Sequence, residues 1–294
     1  MNFIKYVLNN DLGSIETNYS FKELTTIKTG GVIKYLYTPN NVDSLMKVFN
    51  YINENEIKYF VLGNGSNVLA SDMFFDGIVI NMRKIPTYLD IYDDYIEVSS
   101  NYNVSKLASE LALKELGDLS FLFGIPGTIG GAIFNNSGAF KDNIGNHIIS
   151  VNYISKSGEI KTLLKDDIHL GYRTSIFHFY DYIIVSAKIK IEKLKTDEKI
   201  LKYKEIRHQN QPINTFNFGS VFKNKSNIKG WEIVDMLGMR GFTYNGAMIS
   251  EKHSNFIINY NKASSNDILN LIELIKKRAK LELGIELETE LTII

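Results

Sequence analysis

The chain has 294 residues, of which 44% are hydrophobic and 22% charged, which is typical of a globular protein. Its length is sufficient for two or three domains. Its 33 basic and 33 acidic residues give no formal net charge, so we expect no nucleic-acid partner, which a basic excess would favour. Because the chain contains no cysteine, disulfides, thiolate metal sites and cysteine nucleophiles are excluded.

Neither a metal site nor a membrane segment is expected. The five histidines occur at no HxxxH or HxH spacing, which argues against a histidine-based metal site. The N-terminal residues do not follow the signal-peptide pattern, and no apolar run approaches the ~20 residues that a membrane helix needs. We therefore expect a soluble, cytoplasmic protein with no membrane partner.

The first third of the chain predicts alternating helices and strands. Residues 42–52 carry apolar side chains at helical spacing, the apolar run 59–62 predicts a strand that ends in a glycine-rich loop, and 78–82 predict another strand. Asn103 is the expected N-cap of the next helix, whose apolar face begins at Val104. This order is typical of an α/β unit.

The rest of the chain predicts β structure followed by helices. Residues 124–140 are too rich in glycine to be helical throughout, and 148–191 predict strands. The charged stretch 192–212 predicts a linker and a solvated helix, near which we place a domain boundary. An amphipathic helix with Ser265 as its N-cap follows, and a final strand over 285–294 closes the chain.

Two glycine-rich loops stand out. LGNGSNVL (62–69) follows a strand, and successive backbone N–H groups in such a turn make a concave anion site. It is not the Rossmann fingerprint, because Val68 stands where that motif has its third glycine. GIPGTIGGA (124–132) begins about sixty residues later, and TTIKTGG (25–31) adds hydroxyls and glycines. Two such loops favour a long ligand such as a dinucleotide, although each alone is also typical of a tight packing corner.

Three further segments carry groups suited to chemistry. GYRTS (171–175) contains an arginine, which can bind a carboxylate through two parallel hydrogen bonds. FGSVFKN (218–224) places a serine between glycine and apolar residues. LETEL (287–291) has two glutamates that would point to the same face of a strand. Taken singly, the three patterns are more often a surface arginine, a buried strand position and a solvated edge, respectively.

Together and in this order, the segments resemble the UDP-N-acetylenolpyruvoylglucosamine reductases (UDP-N-acetylmuramate dehydrogenases), from about residue 20 to the C-terminus. The resemblance implies an α+β fold. A two-part FAD-binding domain of the PCMH (vanillyl-alcohol-oxidase-like) type is expected at 1–195, with a subdomain boundary near 85–95. A C-terminal α+β substrate-binding domain is expected at 196–294. Only 47 positions separate Arg173 from Ser220, as in the shorter, second type of these reductases.

The same resemblance implies the cofactor site. FAD is expected at both glycine-rich loops, with its diphosphate at the first. The expected contacts are Gly63, Asn64, Gly65, Ser66, Asn67, Gly124, Ile125, Pro126, Gly127, Thr128, Gly130, Gly131, Ala132, Asn135 and Gly138.

It also implies the catalytic groups. Arg173 and Glu290 are expected at the substrate carboxylate, with Glu288 as the alternative glutamate, and Ser220 is expected to be the proton donor. Tyr172 and Asn224 are expected to bind substrate. Lys225 stands where the family has proline, which is a departure from its pattern.

The implied activity is NADPH-dependent, FAD-mediated reduction of an enolpyruvyl UDP-sugar in peptidoglycan precursor synthesis. NADPH would be the hydride donor and the UDP-sugar the substrate, and we expect a monomer. One alternative is another PCMH-type flavin oxidase or dehydrogenase that acts on a small alcohol or hydroxy acid. A second is a catalytically silent module that binds flavin or a nucleotide sugar. The segments GYRTS, FGSVFKN and LETEL together favour the reductase.

Overall fold

A computed structural model describes residues 2–225 and 227–294. The helices in these residues are α1 (Phe3–Asn9), α2 (Phe21–Leu24), α3 (Val42–Glu54), α4 (Val104–Leu113), α5 (Ile129–Phe134), α6 (Asp197–Asn210), α7 (Gly230–Met236) and α8 (Ser265–Leu283). The strands are β1 (Gly13–Ser20), β2 (Val32–Pro39), β3 (Tyr59–Leu62), β4 (Val68–Leu69), β5 (Phe75–Asn81), β6 (Leu89–Ile91), β7 (Tyr95–Ser99), β8 (Gly138–Ala139), β9 (Asp142–Asn143), β10 (Ile148–Ile154), β11 (Ile160–Leu164), β12 (Ile183–Lys190), β13 (Thr243–Tyr244), β14 (Ala247–Ile249), β15 (Ile257–Asn259) and β16 (Thr292–Ile293).

The chain forms two compact units, each assembled from three segments. The first unit comprises Met1–Thr17, Tyr35–Asn64 and Gly77–Glu205. The second comprises Asn18–Lys34, Gly65–Asp76 and Ile206–Ile294.

Part of the first unit is built around α3. The side chain of Asn41 accepts a hydrogen bond from Ser44 N at 2.9 Å and so caps the helix. Four apolar side chains spaced three and four residues apart are then fully or almost fully buried: Leu45, Val48, Phe49 and Ile52. They pack in a core with residues of β5, a strand that pairs in parallel with β3. The predicted helix over 42–52 and strand over 59–62 are confirmed.

The rest of the first unit is a five-stranded antiparallel sheet in the order β11-β10-β12-β7-β6. Two helices, α4 and α5, share one hydrophobic core with this sheet. Asn103 caps α4 as predicted, because its side-chain oxygen accepts a hydrogen bond from Lys106 N at 2.8 Å. The prediction of β structure over 148–191 is confirmed in the strands β10 to β12.

In the second unit α8 and α7 pack in one core with the antiparallel sheet β13-β14-β15. Predicting Ser265 as the N-cap of α8 was wrong by one residue. Ser264 is the cap: its hydroxyl accepts from Asp267 N, and the Asp267 carboxylate accepts from Ser264 N. This reciprocal pair needs a carboxylate three residues after the cap, and only Ser264 has one in that place.

The predicted final strand over 285–294 was too long. Only Thr292–Ile293 is a strand, β16, which pairs in parallel with β4. Before it, the backbone of 288–290 is hydrogen-bonded to residues 221–223 through an isolated bridge. Because the partner changes along the segment, no continuous ladder forms. Within residues 2–225 and 227–294, none of the helices combines the length and apolar character needed to cross a bilayer.

Candidate active site

The start of the first glycine-rich loop, Gly63 and Asn64, belongs to the first unit. Arg83 donates to both of their carbonyl oxygens, through Nε to Gly63 at 3.0 Å and through Nη2 to Asn64 at 2.9 Å. The Asn64 side chain in turn donates to the Pro126 carbonyl oxygen at 2.6 Å. A Cβ atom on Gly63 would lie 2.8 Å from the Thr128 hydroxyl. The start of the first glycine-rich loop therefore packs against the second glycine-rich loop within the first unit. Glycine at position 63 permits this close approach.

The second glycine-rich loop turns into the short helix α5. Thr128 caps the helix by accepting from Gly131 N at 3.3 Å. Gly130 N donates to Ser100 O at 2.7 Å, and a Cβ on Gly130 would lie 3.1 Å from the Ser100 Cβ. Gly131 is exposed. A Cβ atom added to Gly131 would lie 3.5 Å from the Thr128 hydroxyl, and within 4 Å it would meet no other atom of the described residues outside its own helix. The surface beside Thr128 is thus left open for a ligand.

Other predicted cofactor residues of this segment differ in exposure. Gly124 and Pro126 are exposed, whereas Ala132 is buried in the core of the first unit. The side chain of Ala132 therefore belongs to the core and is not available to a ligand. Asn135 is half-buried and donates to the Gly131 carbonyl oxygen at 3.4 Å.

The remainder of the first loop, Gly65 to Asn67, belongs to the second unit. Gly65 has φ +64°, and a Cβ there would lie 2.2 Å from Leu24 O, so glycine is required on two grounds. Asn67 donates through its side chain to Glu290 O at 2.9 Å and accepts at its carbonyl from Thr292 N at 3.0 Å. These bonds tie the loop to the C-terminal segment that carries the predicted catalytic glutamate.

Arg173 lies on a tight two-residue turn of the first unit. Gly171 and Thr174 close the turn through a hydrogen bond of 3.0 Å from Gly171 N to Thr174 O, and Arg173 has φ +58°. Arg173 Nη2 donates to the Gly138 carbonyl oxygen at 3.1 Å, and the guanidinium carbon lies 5.0 Å from the centre of the Tyr172 ring. Two predicted residues, Arg173 and Gly138, are therefore in direct contact, and the exposed Tyr172 stacks beside them.

Ser220 lies on an irregular segment of the second unit that is fixed from two sides. On one side, Val221 N donates to Asn255 O, and Phe222 exchanges hydrogen bonds with the Asn255 side chain, both at 2.9 Å. On the other side, Lys223 N donates to Glu288 O, and Glu290 N donates to Val221 O at 2.8 Å. The structure thus brings Ser220 and Glu290 onto neighbouring segments of one unit.

The two candidate glutamates have different surroundings. The side chain of Glu288 is 72% exposed and forms an ion pair with Lys223 at 3.3 Å, whereas Glu290 is half-buried. Asn224, the predicted substrate contact, is exposed and accepts through its side-chain oxygen from Gly230 N at 3.0 Å, at the start of α7. A carboxyl that acts in a site shielded from bulk water is better served by the environment of Glu290 than by that of Glu288.

Comparison with known proteins decides the family. The model of the C-terminal domain of UDP-N-acetylenolpyruvoylglucosamine reductase matches residues 211–294, and that of an FAD binding domain matches 33–164. The reductase of that name from Clostridium tetani is 36% identical over 99% of this chain and 96% of its own length. That from Prochlorococcus marinus is 36% identical over 94% and 96%. The chain belongs to the UDP-N-acetylenolpyruvoylglucosamine reductase family.

A solved structure agrees with this assignment. The crystal structure of the UDP-N-acetylenolpyruvylglucosamine reductase from Thermus caldophilus superposes with a TM-score of 0.80 at 27% identity, over 96% of this chain and 98% of that one. The predicted α+β fold class, with an FAD-binding domain followed by a C-terminal domain of this reductase family, is confirmed.

Four residues that support the candidate site were not predicted from the sequence. No sequence motif around Arg83 indicates that this residue contacts the first glycine-rich loop. Asn136 is buried, donates to Gly171 O at 2.8 Å and accepts from Gly145 N at 3.0 Å, and so supports the Arg173 turn. Ser175, fully buried, donates to Phe134 O at 2.7 Å. Asn255 is buried beside Phe222. The last three lie in the segments FNNSGAF (134–140), GYRTS (171–175) and GAMISEKHSNF (246–256), where small polar residues are the available signal.

A neutral histidine, His253, accepts a hydrogen bond from the backbone of Asn255. Asn255 N donates to His253 Nδ1 at 3.2 Å, which requires that nitrogen to be unprotonated. Burial, assisted by the nearby charge of Arg240, holds the pKa of His253 below its usual value, although Asp235 opposes this. Near neutral pH, His253 therefore accepts the bond that steadies the Ser220 segment.

Proposed function

We propose that the protein catalyses the NADPH-dependent, FAD-mediated reduction of UDP-N-acetylglucosamine enolpyruvate to UDP-N-acetylmuramate, a step of peptidoglycan precursor synthesis. The observation that carries the proposal is the match to named reductases over nearly the full length of both chains. Ser220 and Glu290 lie on neighbouring segments of the second unit, which supports the proposal. The reaction needs a proton donor close to the group that acts at the substrate carboxylate.

The residues of the glycine-rich loops fit FAD. Close packing of Gly63 against Thr128 and of Gly130 against Ser100 lets backbone, rather than side chains, form the surface near Gly131. Such a surface suits a diphosphate, whose oxygens are bound by backbone N–H groups and small polar side chains. We propose that the fifteen residues named from the sequence, which include Gly63, Gly65 and Gly131, hold this cofactor.

When bound, FAD would take a hydride from NADPH and pass it to the methylene carbon of the enolpyruvyl group. We propose that Arg173 and Glu290 act at the substrate carboxylate, where the arginine stabilises the negative charge that grows as the hydride arrives. The adjacent carbon then needs a proton, which we assign to the Ser220 hydroxyl. Tyr172 and Asn224 are proposed to bind the substrate.

An absorption spectrum tests the proposal directly. The purified protein should show flavin absorbance that NADPH bleaches and that the enolpyruvyl UDP-sugar restores without oxygen. A protein that takes up no FAD would defeat the whole proposal. Bleaching by a small alcohol or hydroxy acid, with no response to the UDP-sugar, would support a flavin oxidase or dehydrogenase instead.

We further propose a cytoplasmic monomer. Its domain division is proposed at 1–195 and 196–294, with a subdomain boundary near 85–95. The matched ranges 33–164 and 211–294 lie on either side of the main boundary, which supports it. Light scattering during gel filtration would test the monomer: a mass near 33.5 kDa is expected, and about twice that value would contradict it.

A further inference from the structure

The hairpin formed by β8 and β9 has a turn that its sequence does not favour. Gly138 pairs with Asn143 and Ala139 with Asp142, which leaves Phe140 and Lys141 as the two turn residues. Their φ angles are +53° and +69°. Two-residue hairpin turns with positive φ at both positions favour asparagine and glycine. Since a bulky aromatic and a lysine stand here, contacts from elsewhere must hold the turn.

At the turn itself, such a contact comes from α6. The ring of Tyr203 stacks on the ring of Phe140, with centroids 3.8 Å apart and planes inclined by 3°. The helix is itself attached to the first unit by the ion pair of Lys199 with Asp118. Burial opposes ionisation of Asp118, but hydrogen bonds from Lys199 and Ser120 outweigh it and lower its pKa. The stack therefore joins the tip of the hairpin to an anchored helix within one unit.

The hairpin contacts a predicted catalytic side chain. Its first residue, Gly138, accepts the hydrogen bond from Arg173 Nη2, and a Cβ on Gly138 would lie 2.3 Å from Asp142 O. Because Gly138 pairs with Asn143 in the hairpin, the position of its carbonyl depends on the hairpin staying closed. A hairpin that opened would move this carbonyl and release the guanidinium from its orientation.

We propose that Tyr203 is a positioning residue: its stack on Phe140 holds the β8–β9 hairpin closed and so orients Arg173 through the Gly138 carbonyl. The inference rests on the proposed function for its catalytic consequence. Its structural part, the coupling of Tyr203 to the hairpin and to the Arg173 turn, stands independently of the reaction.

Three variants of the full chain test the proposal: Tyr203→Ala, Tyr203→Phe and, as a control on the exposed face of the same helix, Lys204→Ala. Hydrogen exchange measured by mass spectrometry should become faster at 138–143 and 171–175 in Tyr203→Ala alone. The KM for the enolpyruvyl UDP-sugar should rise and flavin reoxidation should slow by roughly tenfold to a hundredfold, the usual cost of a small misplacement. Bleaching by NADPH should stay within about twofold of wild type. Tyr203→Phe, which keeps the ring, should behave as wild type.

A turn replacement provides a second test. The double change Phe140→Asn with Lys141→Gly supplies residues that favour the turn by themselves. In that background Tyr203→Ala should have no further effect on exchange or on reoxidation. Unchanged exchange in Tyr203→Ala, equal defects in Tyr203→Phe, or a full Tyr203→Ala effect in the double variant would each overturn the proposal. Failure of the wild type to respond to the UDP-sugar would instead reject the proposed function, and the exchange data would still decide the structural coupling.

Discussion

Glu290 N donates to the carbonyl oxygen of Val221 at 2.8 Å, so the glutamate lies across from the residue that directly follows Ser220. This bond and the neighbouring one from Lys223 N to Glu288 O are both made by backbone atoms. Asn255 is hydrogen-bonded to the opposite side of the segment that carries Ser220. Substituting the side chain of Ser220 or Glu290 should therefore leave the local backbone in place. Kinetic effects of such substitutions can then be assigned to chemistry.

Ser220→Ala should separate the two halves of the proposed reaction. Bleaching of the flavin by NADPH should remain nearly intact, because it needs no proton from this residue. Recovery on adding the enolpyruvyl UDP-sugar should slow by at least ~10²-fold, the lower end of what general acid catalysis contributes. Stopped-flow absorbance measures both steps on one sample. Recovery at the wild-type rate would show that Ser220 is not the proton donor.

Glu290→Gln and Glu288→Gln form a matched pair that identifies the working carboxyl. Glu290 is half-buried, whereas the Glu288 side chain is 72% exposed and is paired with Lys223. We expect Glu290→Gln to slow flavin reoxidation by roughly 10²-fold or more, and Glu288→Gln to stay near wild type. The reverse order of effects would assign the role to Glu288.

Asn136→Ala should reduce stability markedly. The Asn136 side chain is buried and pairs with Gly171 O and Gly145 N. Its removal takes away the acceptor of Gly145 N, whereas Gly171 O keeps the 3.4 Å hydrogen bond from Thr174 N. An unpaired buried group costs about 1–3 kcal/mol, and we expect a loss of that size in the free energy of unfolding. Asn55→Ala is the control, since it removes one exposed hydrogen bond to Tyr51 O. Urea unfolding followed by circular dichroism measures both, and equal losses would contradict the anchoring role.

The elements that could be predicted from the sequence are those with a local signal. Asn103 and the apolar spacing of 42–52 depend on residues within one or two helical turns, and both predictions are confirmed. The predicted N-cap of α8 is wrong by one position because the chain has two adjacent serines, Ser264 and Ser265, at the start of the apolar pattern. Only the carboxylate of Asp267 distinguishes them, through its bond to Ser264 N.

The supports of the candidate site depend on tertiary contacts and could not be predicted. Asn136 bonds to a residue 35 positions away, and Asn255 to one 33 positions away. No periodicity or motif specifies such distances along the chain. The predicted strand over 285–294 failed for the same reason, because its backbone partners change from 221–223 to β4. Motifs therefore indicated which chemistry to expect, and the structure showed what holds each group.

Stability should fall as pH is lowered, in part through His253. Burial and Arg240 hold its pKa below the usual value of 6.5 in the folded protein, so the unfolded chain binds a proton at higher pH than the folded chain does. The stabilisation is complete above about pH 6.5 and is lost as the pH falls through that value toward the lowered pKa. Urea unfolding between pH 8 and pH 5 should show this loss in the wild type, and His253→Gln should show a smaller one because its amide cannot take up the proton. Identical pH slopes in the two proteins would mean that His253 titrates alike in the folded and unfolded states.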